Sequence, residues 1–374
     1  MSRIIIPVLL AALVIGVASP SASDDTGDAA RAGQWQLDTL RLPEAWQATK
    51  GAGVLVAVLD TGVNGRHPDL EGAVIQGPDL TGAGRSAGLW GRHGTAMASL
   101  IAGRGHGHRH GVVGVAPAAK VLSIRVTLEN GDPLRHRQAS GGRQPLAKGI
   151  RYAADHGADV ISMSLGGGSG AWEGSADEEE AVRYAIGKGA VLVASSGNDG
   201  ETANRKNFPA AYPGVIAVGA VDRRLKVAGF SNRQDYLSVV APGTQIVTAD
   251  GGDSYVVGDG TSSAAAMVAG IAALIKSAYP DMSPYHVRTA IELGVLKRPT
   301  AGYNRSYGHG VANALLALRA AEQLSAPARP PAPSIAAAPT PSSRAAVVAG
   351  MLALVAAMAV WVLATHRGHR RGVT

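Results

Sequence analysis

The feature that most constrains the fold is a set of short apolar runs separated by stretches long enough for helices. Val54-Leu55-Val56-Ala57-Val58-Leu59 contains no polar residue and is rich in β-branched side chains. A strand with one wet face alternates apolar and polar residues, whereas a strand apolar on both sides must be covered on both. Val121 to Val126, Asp159 to Met163, Ala190 to Ser195 and Val215 to Val221 are further candidates for buried strands. Between them, Pro145 to His156 and Ser175 to Lys188 are long enough for helices. Strands of this kind alternating with helices predict an α/β domain with a mostly parallel central sheet, covered by helices on both faces. In such sheets, ligands bind outside the carboxyl ends of the strands.

The two ends of the 374-residue chain read differently. Ile4 to Val17 is an apolar run behind Arg3, followed by the small residues VASPSAS and then Asp24-Asp25. That order describes a secretory signal peptide over residues 1–23, with cleavage near Ser23; an uncleaved anchor is the alternative. Ala345 to Thr365 holds no charge. At 1.5 Å per residue it spans about 31 Å, the thickness of a bilayer's hydrocarbon core. The sequence HRGHRRGVT follows at once, so residues 366–374 are expected to be a basic cytoplasmic tail, with the rest of the chain on the far side of the plasma membrane. Residues 325–344 are rich in Pro and form an extended linker. This leaves 24–34 as a short N-terminal extension and 35–324 as one globular domain.

Composition excludes some chemistry. The chain has no cysteine, so neither a catalytic thiolate nor a disulfide is available. The net charge of +7 lies partly in the tail and partly scattered, and Arg104 to His110 is the one basic cluster inside the domain. With two Phe and no stacking pattern, nucleic acid is not an expected partner.

Four segments carry the chemistry. Asp60 closes the first apolar run and precedes Thr61-Gly62, which puts a carboxylate at the rim of the sheet. By itself it is a common turn-capping residue. His93 stands before Gly94-Thr95-Ala96-Met97-Ala98 and is expected at a helix N-terminus, where an ordinary cap or surface residue is the plainer reading. Ser262 follows Gly258-Asp259-Gly260-Thr261 and enters a long run of small residues. A serine there is most simply an N-cap, but the helix N-terminus also favours developing negative charge. Asn198 sits in Ser195-Ser196-Gly197-Asn198-Asp199-Gly200, a loop whose amide could face an oxyanion.

Taken together and in this order, VAVLDTGVNGRHPDL, HGT, GVAPAAKVLSIRV, VISMSLGG, SSGNDG, VIAVGAV and GTSSAAAMVAG resemble the subtilisin family of serine proteases over about residues 35–320. The resemblance implies the three-layer subtilisin-like fold and an Asp60–His93–Ser262 triad. It also implies Asn198 and the Ser262 backbone N–H as oxyanion donors. Ser164, Leu165 and Gly166 would form the strand that pairs with the backbone of a polypeptide substrate and walls its P1 pocket. Ser263 is a neighbouring decoy for the nucleophile. Asp199 is a candidate for drawing a basic P1 residue, and Asp177 to Glu180 for attracting basic peptides, although an acidic first helical turn explains the latter run as well.

Departures from the family pattern are visible. Ala266 stands where the family has Pro, and Met267 follows, so the Ser262 helix is expected to start more regularly and to shift the hydroxyl slightly. The Ala after His93-Gly94-Thr95, the export signal and the terminal anchor make the chain most similar to the mycosins, membrane-bound subtilases of type VII secretion. Secretion-complex subunits are therefore expected partners. A rival expectation is a stabilising subunit of such a complex, with weak or dispensable proteolysis. No large propeptide is expected, and residues 24–45 should pack on the domain. Asp69 matches a calcium ligand of the family, but RGHGHRHGVVGVAP supplies no carboxylate beside it. No cofactor or metal is expected, with calcium the weaker alternative. His106, His108 and His110 have the spacing of a metal loop, though a solvated loop is the plainer reading.

Overall fold

A computed structural model describes residues 25–84, 90–107, 109–135, 144–166, 174–326 and 343–369. The signal-peptide reading, His108, the linker beyond Ala326 and the end of the tail fall outside them. The chain divides into two compact units, 1–325 and 326–374.

In the first unit, helices α1 (Asp25–Ala32), α2 (Gln36–Thr39) and α3 (Leu42–Ala45) lead into strand β1 (Leu55–Asp60). Strand β2 (Val74–Asp79), helix α4 (Arg92–Ala102), the pair β3 (Arg104–His106) and β4 (His110–Val113), and strand β5 (Lys120–Arg125) follow. Then come α5 (Gln144–Asp155), β6 (Val160–Met163), α6 (Ala176–Gly187), β7 (Val191–Ser195), β8 (Ile216–Val221) and β9 (Leu237–Pro242). A hairpin of β10 (Ile246–Ala249) and β11 (Tyr255–Gly258) precedes α7 (Thr261–Ala278). The unit ends with α8 (Pro284–Leu293), β12 (Val295–Leu296), β13 (Val311–Ala312) and α9 (Ala314–Ser325). The second unit contains α10 (Ser343–His369).

The nine-stranded central sheet has the order β12-β13-β9-β8-β7-β6-β1-β5-β2. Every pairing in it is parallel except β12 with β13. In β1, Val56 and Val58 point into one core, shared with α4, α7, α8 and α9, while Ala57 and Leu59 point into the other, under α5 and α6. That division is why the run carries no polar residue before Asp60. The chain passes from β5, on one side of β1, through α5 to β6 on its other side. The order of the sheet therefore reverses around β1, and the carboxyl end of β1 opens into the crevice where such folds bind ligands.

Helix α7 lies under β6 to β9 and is buried along most of its length. Gly270 lets the Val115 side chain come close: a Cβ on Gly270 would meet Val115 Cβ at 2.5 Å. It is long and apolar enough to span a membrane, yet 83% of it is buried within the domain, so it is a core helix. In contrast, Ala346–Thr365 has a mean hydropathy of 2.5 and none of it is buried.

The segment before β1 packs on the domain as expected. Gln34 closes a two-way pair with the Val113 backbone at 2.9 Å each way. Arg31 donates to the carbonyls of Gly111 and His110. The indoles of Trp35 and Trp46 donate to the carbonyls of Thr244 and Val115.

Candidate active site

β1 delivers Asp60 to the rim, where its side chain is almost fully buried. Gly62, at φ +100°, turns the chain away at once, and its missing Cβ leaves room for the Trp90 ring. Asp60 Oδ1 accepts from the Thr61 N–H at 2.7 Å and pairs with His93 Nδ1 at 2.8 Å. An ionised carboxylate can only accept, so Nδ1 carries the proton and Nε2 is left as the basic nitrogen. The imidazole is 34% exposed, along the cleft.

His93 sits in the first turn of α4, whose N-cap, Gly91, has no side chain to satisfy the free N–H groups. Two other strand ends do so. Thr61 Oγ1, beyond β1, accepts from the Gly94 N–H at 3.0 Å. Glu129 Oε1, beyond β5, accepts from the His93 N–H at 3.0 Å. Neither residue stood out in the sequence. Glu129 lies three residues past a predicted strand, at the rim where ligands bind, and that position is the signal that could have found it. Burial works to lower the His93 pKa, but the Asp60 charge, its hydrogen bond and the Glu129 charge outweigh it, with Arg135 opposing them. The net result lies above the ordinary imidazole value.

Ser262 lies in the first turn of α7, behind Gly258-Asp259-Gly260. The helix begins at Thr261. Ser164 Oγ, just past β6, donates to the Ser262 carbonyl at 3.0 Å, and Ser262 Oγ lies 3.5 Å from the Ser164 carbonyl. Among the described residues the Ser262 hydroxyl has no hydrogen bond to His93, although both side chains line one cleft of about 440 Å³. Ser263 also lines it but is buried.

Asn198, after β7, is exposed and oriented. Its Oδ1 accepts from the Thr261 N–H at 2.9 Å and from the Thr261 hydroxyl at 2.8 Å. Both partners are donors there, which assigns the carboxamide oxygen to that side and leaves the NH₂ as the free, donating face. The Thr261 hydroxyl in turn accepts from the Gly197 N–H at 3.3 Å.

Leu165 and Gly166 continue from Ser164 and, with Asn198, Asp199 and Ser262, line an adjoining cavity of about 550 Å³. The Leu165 carbonyl accepts from Asn207 Nδ2 at 3.2 Å and from Ser195 Oγ at 3.1 Å. Gly166 has φ +139°, and any Cβ there would lie 2.1 Å from the Asn207 carboxamide. Asp199 lines this cavity with one carboxylate oxygen buried and without a partner among the described residues.

Other candidates lie elsewhere. Asp177 and Glu180 line a separate depression with Lys148 and Arg151, away from the cleft. The run begins α6 behind the Ser175 N-cap, and Glu178 accepts from the Tyr212 hydroxyl at 2.7 Å. The fully buried Asp69 carboxylate pairs with His106 Nδ1 at 2.6 Å and accepts from the Val112 N–H at 2.7 Å. Gly111 packs so close that a Cβ would lie 2.0 Å from Asp69 Oδ1. Both oxygens are engaged by protein donors, and no third metal-ligating side chain joins Asp69 and His106 among the described residues, so this donor set does not fit a calcium ion. His110 pairs with Asp28 at 2.6 Å. No cluster of three metal-ligating side chains occurs among the described residues.

An Asp–His pair, a serine at a helix entry and an aimed carboxamide, at the carboxyl rim of a parallel sheet, are the elements that define the subtilases. The chain belongs to that family, whose model matches residues 51–310. It is 38% identical to thermitase of Thermoactinomyces vulgaris over 259 residues, covering 69% of this chain and 87% of thermitase. It is 35% identical to fervidolysin of Fervidobacterium pennivorans, covering 78% of this chain but 44% of fervidolysin. The fervidolysin crystal structure superposes with a TM-score of 0.67. MycP1 from the ESX-1 type VII secretion system superposes with a TM-score of 0.64 at 31% identity, covering 76% of this chain and 85% of that one.

Proposed function

We propose that the chain is a serine endopeptidase, held at the outer face of the plasma membrane by α10, that cleaves extended polypeptide segments through an acyl-enzyme. The observation that carries this reading is the Asp60–His93 pair, with its free Nε2 in the same cleft as Ser262 and the locked Asn198 amide. The Ser262 hydroxyl rests in a long contact with the Ser164 carbonyl and faces the same cleft as the imidazole, and productive binding requires the two to meet. Such contacts commonly tighten only when substrate is bound.

Ser262 Oγ then attacks the scissile carbonyl while His93 Nε2 takes its proton. Asp60 holds the tautomer and stabilises the imidazolium. The carbonyl oxygen, now negative, receives hydrogen bonds from Asn198 Nδ2 and the Ser262 N–H. His93 returns the proton to the leaving amine, and water, deprotonated by the same nitrogen, releases the acyl group. The backbone at Ser164 to Gly166, pinned by Asn207 and Ser195, offers an edge along which a peptide lies extended. Ser262→Ala should abolish both hydrolysis and labelling by a fluorophosphonate probe. Labelling that persists in Ser262→Ala refutes the assignment.

The 20 residues Ala346–Thr365 span about 30 Å as a helix, and the charges at 367, 370 and 371 favour a cytoplasmic C-terminus. Similarity to MycP1 supports association with a type VII secretion machine. A second reading, a stabilising subunit whose proteolysis is dispensable, is favoured by the position of the Ser262 hydroxyl on Ser164 instead of His93. Export that survives Ser262→Ala in cells selects that reading, and export lost with it rejects it.

A further inference from the structure

We propose that Glu129 is a positioning residue for His93, fixing its backbone and stabilising its imidazolium from outside the triad. The placement begins in the sheet. β5 lies beside β1 in parallel, with Arg125 opposite Asp60. The chain beyond β5 stays tied to the same strand end, because the N–H groups of Val126 and Thr127 both donate to the Asp60 carbonyl, at 2.9 and 3.3 Å. Two residues later, Glu129, 8% exposed, sends its carboxylate to the His93 N–H at 3.0 Å. One strand end therefore carries the acid that pairs with the ring, and its neighbour carries the acid that holds the backbone of the same residue.

The arrangement answers a problem set by the fold. His93 stands in the first turn of an 11-residue helix, where the peptide dipoles present positive charge. That field opposes the imidazolium formed when Ser262 gives up its proton. An anionic acceptor on the free N–H of His93 satisfies a group that Gly91 leaves unpaired and offsets the dipole in the same contact. The charges facing the ring are Asp60 and Glu129 against Arg135, with the adjacent Arg92 neutralised by a bidentate pair to Asp250 at 2.9 Å for each bond. Arg135 is anchored to the Leu128 carbonyl on the same loop. The loop thus holds both the acid that favours imidazolium and the base that tempers it.

This inference rests on the triad reading above. The test compares the pH dependence of kcat/KM on an extended peptide for the full chain and for Glu129→Gln and Glu129→Ala. Gln retains an acceptor for the His93 N–H but removes the charge. The acid limb should move to lower pH, with the plateau reduced by up to about tenfold. Ala should move the limb in the same direction and lower kcat further, with KM little changed. A limb that superimposes on wild type in either folded variant overturns the proposal. Should neither fold, Arg135→Gln, which removes the opposing charge, must move the limb to higher pH, and an unmoved limb again overturns it. An unmoved limb alongside lost labelling in Ser262→Ala refutes this inference and leaves the triad reading standing.

Discussion

Thr261→Val tests whether the Asn198 amide is aimed by the residue next to the nucleophile. Valine nearly matches threonine in shape but has no hydroxyl, and position 261 is fully buried. Asn198 Oδ1 would lose its 2.8 Å bond from the hydroxyl and keep the 2.9 Å bond from the 261 N–H. A neutral hydrogen bond of this kind contributes about 0.5–1.5 kcal/mol, so poorer aim at the oxyanion should lower kcat by about 2- to 10-fold with KM little changed. Full removal in Asn198→Ala should cost about 10²–10³ in kcat, the range already measured for an oxyanion donor in a subtilisin. The Gly197 N–H also loses its acceptor, at 3.3 Å, so stability should fall by about 1–3 kcal/mol while the protein still folds. The assay is a double-mutant cycle read in kcat. If Thr261 acts through Asn198, Thr261→Val has no further effect in the Asn198→Ala background. Wild-type kcat in the single variant, or equal losses in both backgrounds, refutes the reasoning.

Further outcomes are expected. Catalysis needs neutral His93, and its pKa is raised, so kcat/KM should fall with decreasing pH through a midpoint above 6.5. The same shift means that the His93–Asp60 pair adds stability below pH 6.5 that is lost as pH rises through the folded pKa, measurable as the pH dependence of unfolding in wild type against His93→Ala. Because Asp69 is satisfied by His106 and Val112, a chelator should leave the thermal midpoint unchanged, whereas Gly111→Ala should lower stability by about 3 kcal/mol, through its φ of +72° and the clash with Asp69. Finally, a chain ending at Ser325 should be recovered soluble and retain peptidase activity, while the full chain sediments with membranes; a soluble full chain would count against the anchor.

The parts of the fold legible in the sequence were those whose signal is local. Val54 to Leu59 and the four later apolar runs announce β1, β5, β6, β7 and β8, because a strand covered on both faces needs apolar side chains at every position. The same logic misses β11, whose Val256 and Val257 are exposed, and the two-residue β12 and β13, which are too short to show a period. In the site, Asp60, His93, Asn198 and Ser262 stand in recognisable flanks. Their supports do not, because Thr61, Glu129 and Thr261 act on residues that only folding brings near: Glu129 is 36 positions from His93, and Thr261 is 63 from Asn198. Asp69 shows the converse. A motif that suggests a cation ligand is committed instead to His106, 37 residues away, and nothing local reveals it.

The clasp of the first helices bears on when the molecule becomes competent. Leu40 accepts from the Ala314 N–H at 2.9 Å, and Thr39 accepts from the Asn313 side chain across 274 positions of chain. These stitches cannot be made until nearly the whole domain has emerged, and closing loops of that length is slow. Until residues 313 and 314 have emerged, the first helices of a nascent chain lack these partners, and the two ends of the domain close together as one of the last steps of its assembly.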